Sequence, residues 1–314
     1  MDHQLLKLLN KFTSTSILKQ IHLQILIRGL QSNAFVLPKL LSLSAQLFSL
    51  NYAINIFQSS QYLNVVAYNT IIKCFVGKNH KGALSIYNQM KALMVMPNSF
   101  TFTFLLRCFE SFEALRDGML IHAEIFKLGY GASIFVQNTL LDFYARCGGY
   151  FDFASQVFEE MPERDVVSWN SMIGAYMARG EIESAVQLFE SMSERNTITW
   201  NSIVSGLCKA GNMDLALSVF ERMPERNEVS WNSMISGYVR VSNMKAAQSI
   251  FNQMPRKTVV SWTTLISGYS MAGDIESAIH IFNKTPLKNV VSWNAMIAGY
   301  VHNHMFDQAL AIFS

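Results

Sequence analysis

The stretch VVSWNSMIGAYMARGEIESAVQLFESMSERN, residues 166–196, decides the fold, because close copies of it follow directly. Residues 197–227 read TITWNSIVSGLCKAGNMDLALSVFERMPERN, 228–258 read EVSWNSMISGYVRVSNMKAAQSIFNQMPRKT, and 259–289 read VVSWTTLISGYSMAGDIESAIHIFNKTPLKN. All five tryptophans, Trp169, Trp200, Trp231, Trp262 and Trp293, stand 31 residues apart. A fixed period of this length marks a repeat array, in which each unit buries its apolar face by stacking on its neighbours.

With Trp as position 4, each unit reads as two short helices. In the unit from Glu228, Trp231, Met234, Ile235 and Tyr238 fall at i, i+3, i+4 and i+7, and Ala247, Ile250, Phe251 and Met254 make a second such face. Between the faces lies a break, clearest as AGN at 210–212 and AGD at 272–274, where Gly suits a left-handed residue and Asn or Asp caps the next helix. Pro224, Pro255 and Pro286 follow the second helix and discourage its continuation. Upstream in the same frame, further units begin at Ile134, Ser99, Val65 and Ala34, with lengths of 32, 35, 34 and 31 residues. Residues 1–33 read as the helical end of an earlier unit or a cap. The last unit, from Val290, is expected to stop inside its second helix, as in a truncated array or fragment.

Composition supports a packed chain: half the residues are hydrophobic and 15% are charged. No apolar run approaches the ~18 residues of a membrane span, so no membrane partner is expected. The net charge of +3 conceals an asymmetry. Residues 1–109 carry ten Lys and Arg against Asp2 alone, a net +9, whereas 110–314 hold 15 basic and 21 acidic residues, a net −6. The acid-poor, Lys-, Ser- and Thr-bearing start, KLLNKFTSTSILKQ, reads either as an organelle-targeting segment or as a basic capping repeat. Cys74, Cys108, Cys147 and Cys208 are widely spaced with no CxxC pair, so neither a disulfide framework nor a zinc site is expected.

VVSWNSMISGY followed by A…IFxxMPxR is similar to the pentatricopeptide repeat, and the mixture of 31-, 34- and 35-residue units resembles its plant PLS subclass. The resemblance covers about 34–314. It implies an all-α, right-handed solenoid superhelix of helix-turn-helix repeats whose first helices line a groove for single-stranded RNA, without cofactor. DNA is not among the implied partners. In the family, position 5 and the last residue of a unit together choose one nucleotide, and an apolar position 2 packs against base faces. Carried over, the reading pairs are Asn69 with Asn98, Asn138 with Asp165, Asn170 with Asn196, Asn201 with Asn227, Asn232 with Thr258 and Thr263 with Asn289. Asn294 has no partner in the sequence. The family's code assigns U to Asn–Asp, C over U to Asn–Asn, A to Thr–Asn and a pyrimidine to Asn–Thr. The units from Ile134 onward then prefer 5′-U-Y-Y-Y-A-Y-3′. One further pyrimidine lies upstream, across the poorly defined unit with Thr103 and Ser133.

The stacking candidates are Val66, Phe135, Val167, Ile198, Val229, Val260 and Val291. The phosphate candidates at position 13 are Arg146, Lys209 and Arg240; Ala178 and Met271 at the same position cannot serve, and Pro38 at a position 5 cannot read a base. From the residues alone, each Asn also has a plainer reading as a helix cap or a solvated polar group, and Ser at position 3 is an alternative cap. The tryptophans read as core, and the PER and PRK charges at unit ends as solvated turns.

Catalysis is not expected. His122–Ala123–Glu124 matches the H-x-E of zinc deaminases, but the P-C-x-x-C pair that completes such a site is missing. No phosphate-binding loop, H-E-x-x-H or nucleophile elbow occurs. PLS-type arrays resemble the recognition half of organellar C-to-U editing factors, so an editing role implies chemistry from a C-terminal part outside this sequence or from a deaminase-domain protein or editing accessory factor in trans. The resemblance places the protein in the mitochondrion, with the chloroplast as the alternative. RNA stability, splicing or translation without editing, and a protein-binding scaffold, are the competing functions.

Overall fold

The computed structural model describes residues 14–313 apart from 32, 62, 110, 148 and 149. Residues 7–13 of the candidate targeting segment lie outside this set. Every regular element among the described residues is helical, and the helices fall into two compact units, Met1–Asp165 and Val166–Ser314.

The first unit holds α1 (Thr15–Ile27), α2 (Val36–Leu47), α3 (Leu50–Ser59), α4 (Val65–Lys73), α5 (His80–Ala92), α6 (Ser99–Cys108), α7 (Leu115–Lys127), α8 (Ile134–Arg146) and α9 (Phe151–Glu160), with a 3-10 turn at Phe112–Ala114. The second holds α10 (Val166–Arg179), α11 (Ile182–Ser191), α12 (Thr197–Ala210), α13 (Met213–Arg222), α14 (Glu228–Arg240), α15 (Met244–Gln253), α16 (Val259–Met271), α17 (Ile275–Lys284), α18 (Val290–His302) and α19 (Phe306–Phe313). Within each unit the first helix of a repeat packs on its own second helix and on the first helices of its neighbours: α12 meets α10, α13 and α14, and α4 meets α2, α5 and α6. Within each unit first helices therefore pack side by side, and second helices pack on their own first helices and on the first helices that follow. Helices begin at Val65, Ser99, Ile134, Val166, Thr197, Glu228, Val259 and Val290, the expected unit starts. The unit expected at Ala34 begins its helix at Val36, because the Asn33 side chain accepts from the Phe35 and Val36 amides. No helix among the described residues is long and apolar enough to cross a membrane.

Local chemistry explains each boundary. Gly211, at φ 78°, ends α12 in the left-handed region; its N–H and that of Asn212 bond back to the Cys208 and Leu207 carbonyls. Asn212, Asn243 and Asp274 then cap α13, α15 and α17 by accepting from the amides three residues on. Most first helices are capped by the last residue of the preceding unit; α8, after Ser133, has no side-chain cap bond. Asn98, Asn196, Asn227, Thr258 and Asn289 each accept from the position-3 amide, and the position-3 Thr or Ser accepts in return from the cap N–H. Position 3 therefore completes a capping box and is not itself the cap.

The charged unit ends are exposed turns, but their last cation is engaged as well as solvated. Arg164, Arg195 and Arg226 each fold back over a second helix: Nε donates to the Phe158, Phe189 or Phe220 carbonyl, and Nη2 to the next carbonyl along. These groups satisfy carbonyls that a helix C-terminus leaves free and set a cation against the negative end of the dipole. The same guanidinium lies 4.7–5.1 Å from the centroid of the Phe ring, and Lys257 and Lys288 stand over Phe251 and Phe282 in the same way. On its other side that ring meets the next unit's tryptophan edge-on. Phe189–Trp200, Phe220–Trp231, Phe251–Trp262 and Phe282–Trp293 have centroids 4.7–4.9 Å apart. Trp200 and Trp231 are buried and couple repeats in the core, Trp169 and Trp262 are partly buried, and Trp293, in the last unit, is 37% exposed.

Candidate nucleic-acid interface

First helices place positions 2, 5, 6, 9 and 13 on one wall. The seven position-2 candidates Val66, Phe135, Val167, Ile198, Val229, Val260 and Val291 are all apolar and 49–63% exposed. In the second unit, two adjoining cavities run along this wall. One is lined by Ile198, Asn201, Ser202, Ser205, Lys209 and Val229 among others, and the next by Ser205, Lys209, Val229, Asn232, Ser236 and Arg240. They share Ser205, Lys209 and Val229, so Val229 stands between two compartments. Each compartment presents a position-5 Asn on its wall and a position-13 cation at its end.

Each reading pair depends on the cap geometry. Asn138 Nδ2 donates to Asp165 Oδ1 and Oδ2 at 3.1 and 3.3 Å, Asn69 Nδ2 to Asn98 Oδ1 at 3.0 Å, and Asn232 Nδ2 to Thr258 Oγ1 at 3.4 Å. The two residues of these rungs are thus in direct contact, although 26 to 29 residues separate them. The side-chain oxygens of Asn138, Asn170, Asn201 and Asn232 are turned inward, buried and without a partner. In Asn170 and Asn201 that leaves Nδ2 as the amide group available to a ligand, while in Asn138 and Asn232 one of the two Nδ2 hydrogens is already engaged by Asp165 or Thr258. At unit ends the capping bond occupies Oδ1 of Asn196, Asn227 and Asn289, again leaving Nδ2. Thr263 differs, because its hydroxyl donates to the Val259 and Val260 carbonyls and so keeps only lone pairs to offer. Asn294 is exposed in the last unit.

Two candidates sit differently from the rest. Asn69 is only 7% exposed, and its oxygen accepts from Thr101 Oγ1 at 2.6 Å while its nitrogen is held by Asn98, so both ends of the amide are occupied. Arg146 is paired with Asp142 one turn earlier, at 3.0 Å from Nη2, which lowers its availability to a phosphate. Lys209 and Arg240 are exposed, with Arg240 Nη1 donating to the Lys209 carbonyl at 3.3 Å.

The H-x-E residues do not face a common centre. His122 Nδ1 bonds Tyr144 Oη at 2.7 Å, burial holds its pKa below the ordinary value, and Glu124 pairs with Lys91 at 3.1 Å. Among the described residues, no cluster of three or more metal-ligating side chains occurs. The four cysteines are unbridged, and burial pushes the Cys208 thiol up to about 12.

Sequence reading missed the Arg clasps and a column of small residues at position 10. Gly206, Gly237, Gly268 and Gly299 recur there with the 31-residue period, which was the available signal.

Models of the PPR repeat family match residues 63–110 and 164–197, and PPR repeat models match 194–224, 229–259, 260–290 and 291–314, together more than half of the chain. Among curated relatives, the chain is 36% identical over 177 residues to pentatricopeptide repeat-containing protein At3g12770 of Arabidopsis thaliana, and 32% identical over 167 residues to CRR2, chloroplastic, of the same plant. These alignments take in 55% and 52% of this chain but 25% of each relative, so the chain spans about a quarter of their length. Among solved structures, maize PPR10 superposes with a TM-score of 0.68 at 20% identity, covering 95% of this chain and 45% of that one. PPR10 in complex with an 18-nt psaJ RNA element gives the same score at 19% identity. The shared repeat and the shared all-helical fold lead to one assignment: the chain belongs to the pentatricopeptide repeat family.

Proposed function

We propose that the chain binds single-stranded RNA, one nucleotide per repeat, with position 5 and the unit's last residue reading the base between flanking position-2 side chains. The observation that carries this reading is the pair of adjoining compartments divided by Val229, each with an Asn on its wall. The RNA-bound neighbour PPR10 supports the class of ligand.

Hydrogen-bond accounting supports the preferences. Asn170 with Asn196 and Asn201 with Asn227 present two N–H donors, which match the adjacent N3 and O2 acceptors of cytosine. Asp165 offers carboxylate acceptors, which suit the N3–H of uracil. Thr263 offers an acceptor and Asn289 a donor, which match N6–H and N1 of adenine. Asn69, with its amide engaged internally, contributes less than the other rungs. A mobility-shift titration with single-stranded RNA containing UYYYAY tests the reading, with permuted sequences as controls. Thr263→Asn is expected to move the preference opposite that unit from A to C by about tenfold, the worth of one to two hydrogen bonds at about 1 kcal/mol each. Equal binding of all permutations would remove the claim.

Residues 166–314 hold 11 basic and 11 acidic side chains. Lys209 and Arg240, with Arg146 held back by Asp142, neutralise about two phosphates, so the plot of log affinity against log salt should have a slope near −1.4, at about 0.7 per phosphate. A slope of roughly −6, the mark of about eight phosphates, would contradict recognition through bases.

Within RNA binding, we favour site recognition for C-to-U editing in an organelle, with the conversion carried out by a deaminase domain in the same protein or in trans. Its support is the mixed 31-, 34- and 35-residue units and the chloroplastic and mitochondrial descriptions of relatives. Loss of conversion at a UYYYAY-flanked cytidine in plants lacking the protein tests it, and unchanged editing with altered transcript abundance would favour the RNA-stability role.

A further inference from the structure

The unit from Ser99 departs from the pattern at every reading position. Thr103, at position 5, bonds the Ser99 carbonyl as Thr263 bonds that of Val259, but at 1% exposed its hydroxyl is out of a ligand's reach, whereas Thr263 is partly exposed. No cap bond orients the Ser133 side chain at the unit's end. In place of a reader the unit carries rings. Phe100 at position 2 is 52% exposed and lies 5.8 Å from Phe135, the position-2 residue of the next unit, and 6.4 Å from Phe104 at position 6. Lys73, at position 9 of the preceding unit, places its ammonium 5.5 Å from the Phe104 centroid. Positions 2, 6 and 9 are those that line the compartments of the second unit, where Ser233 and Ser205 stand in place of Phe104 and Lys73. The same wall is therefore aromatic and cationic here, with no amide aimed into it.

We propose that this unit holds its nucleotide by stacking on Phe100, Phe104 and Phe135 without reading its identity, so that the recognised RNA contains an unread position immediately 5′ of the U assigned to Asn138. Every base offers a flat face to a ring, and stacking is accordingly tolerant of sequence, whereas a rung of amides is not. Lys73 draws the strand to this wall by its charge. The inference rests on the RNA reading above and adds to it a subsite with the opposite selectivity.

Fluorescence anisotropy with the RNA series 5′-YNUYYYAY-3′ tests it, where N is A, C, G, U or an abasic ribose. The four bases are expected to bind within about twofold of one another, and the abasic RNA about tenfold more weakly. The double variant Phe100→Ala/Phe104→Ala should bind all five RNAs alike, at the abasic level. Circular dichroism checks its fold, and Phe100→Leu/Phe104→Leu, which keeps side-chain volume, replaces it where the helix signal is lost. A fivefold preference for one base at N, or an abasic RNA as tight as the parent, would overturn the inference. Changing the U opposite Asn138 to A in the same series separates the two claims. If that change weakens binding while the abasic RNA does not, only the stacking subsite falls; if no RNA binds, the RNA reading falls and takes the subsite with it.

Discussion

Trp231→Ala is expected to lower the free energy of unfolding of the second compact unit by about 3–5 kcal/mol, the usual cost of truncating a buried aromatic. The indole is 8% exposed and fills the joint between two repeats, edge-on to Phe220 of the preceding second helix. Phe220 is in turn covered by Arg226, whose guanidinium is fixed by the Phe220 and Glu221 carbonyls. Ala gains a few tenths of a kcal/mol in helix propensity, too little to offset the void. Because a repeat is stabilised chiefly by its neighbours, the loss should act on the joint between the repeats at 197 and 228, with faster hydrogen exchange in α13 and α14 than in α18. Urea unfolding followed by circular dichroism gives the magnitude. Trp231→Phe, which keeps an aromatic ring at the joint, should recover more than half of it. A loss under about 1 kcal/mol for Trp231→Ala would show that the Trp–Phe contact does not couple the repeats.

The helix pattern was legible because packing imposes it residue by residue. Trp231, Met234, Ile235 and Tyr238 must share a face, and the structure buries all four. Helix starts were legible for a related reason: polar residues at unit ends recur at a fixed offset from the tryptophan. What that polar residue does was not legible. Asn227 and Ser230 are both good cap residues, and only the backbone geometry decides that Asn227 caps while Ser230 closes the box. The result bears on the proposed reading, since the capping bond consumes Oδ1 and leaves Nδ2 of Asn227 as its remaining amide group. The buried state of Asn69 was hidden because it depends on Thr101 reaching across from the next repeat, a contact 32 residues away. Arg226 is exposed, as its charge suggests, but its charge gave no sign that the guanidinium also finds a ring and two carbonyls within six residues.

Gly237→Val is expected to destabilise the second unit by about 2–3 kcal/mol, because position 10 lies tight against the neighbouring first helix. A Cβ at Gly237 would stand 2.8 Å from Cys208 Cβ and 2.9 Å from its Sγ, with Met213 Sδ at 2.8 Å. Met213 can swing aside, but Cys208 Cβ moves only with the backbone of α12, so the helices must separate. The same relation recurs at Gly268 against Val239, one repeat on, and the two positions thus report one packing rule. Removing a glycine from a helix normally stabilises by about 0.5–1 kcal/mol, and that gain sets the control. Gly174, also mid-helix, has no atom within 4 Å of its Cβ direction, so Gly174→Ala should raise stability by about that amount. Opposite signs in urea unfolding for Gly174→Ala and Gly237→Val would establish that the small residues at position 10 are required by repeat stacking. Stabilisation by both would mean that the spacing between α12 and α14 yields freely, and the shared wall formed by Val229, Asn201 and Asn232 would then lack a rigid footing.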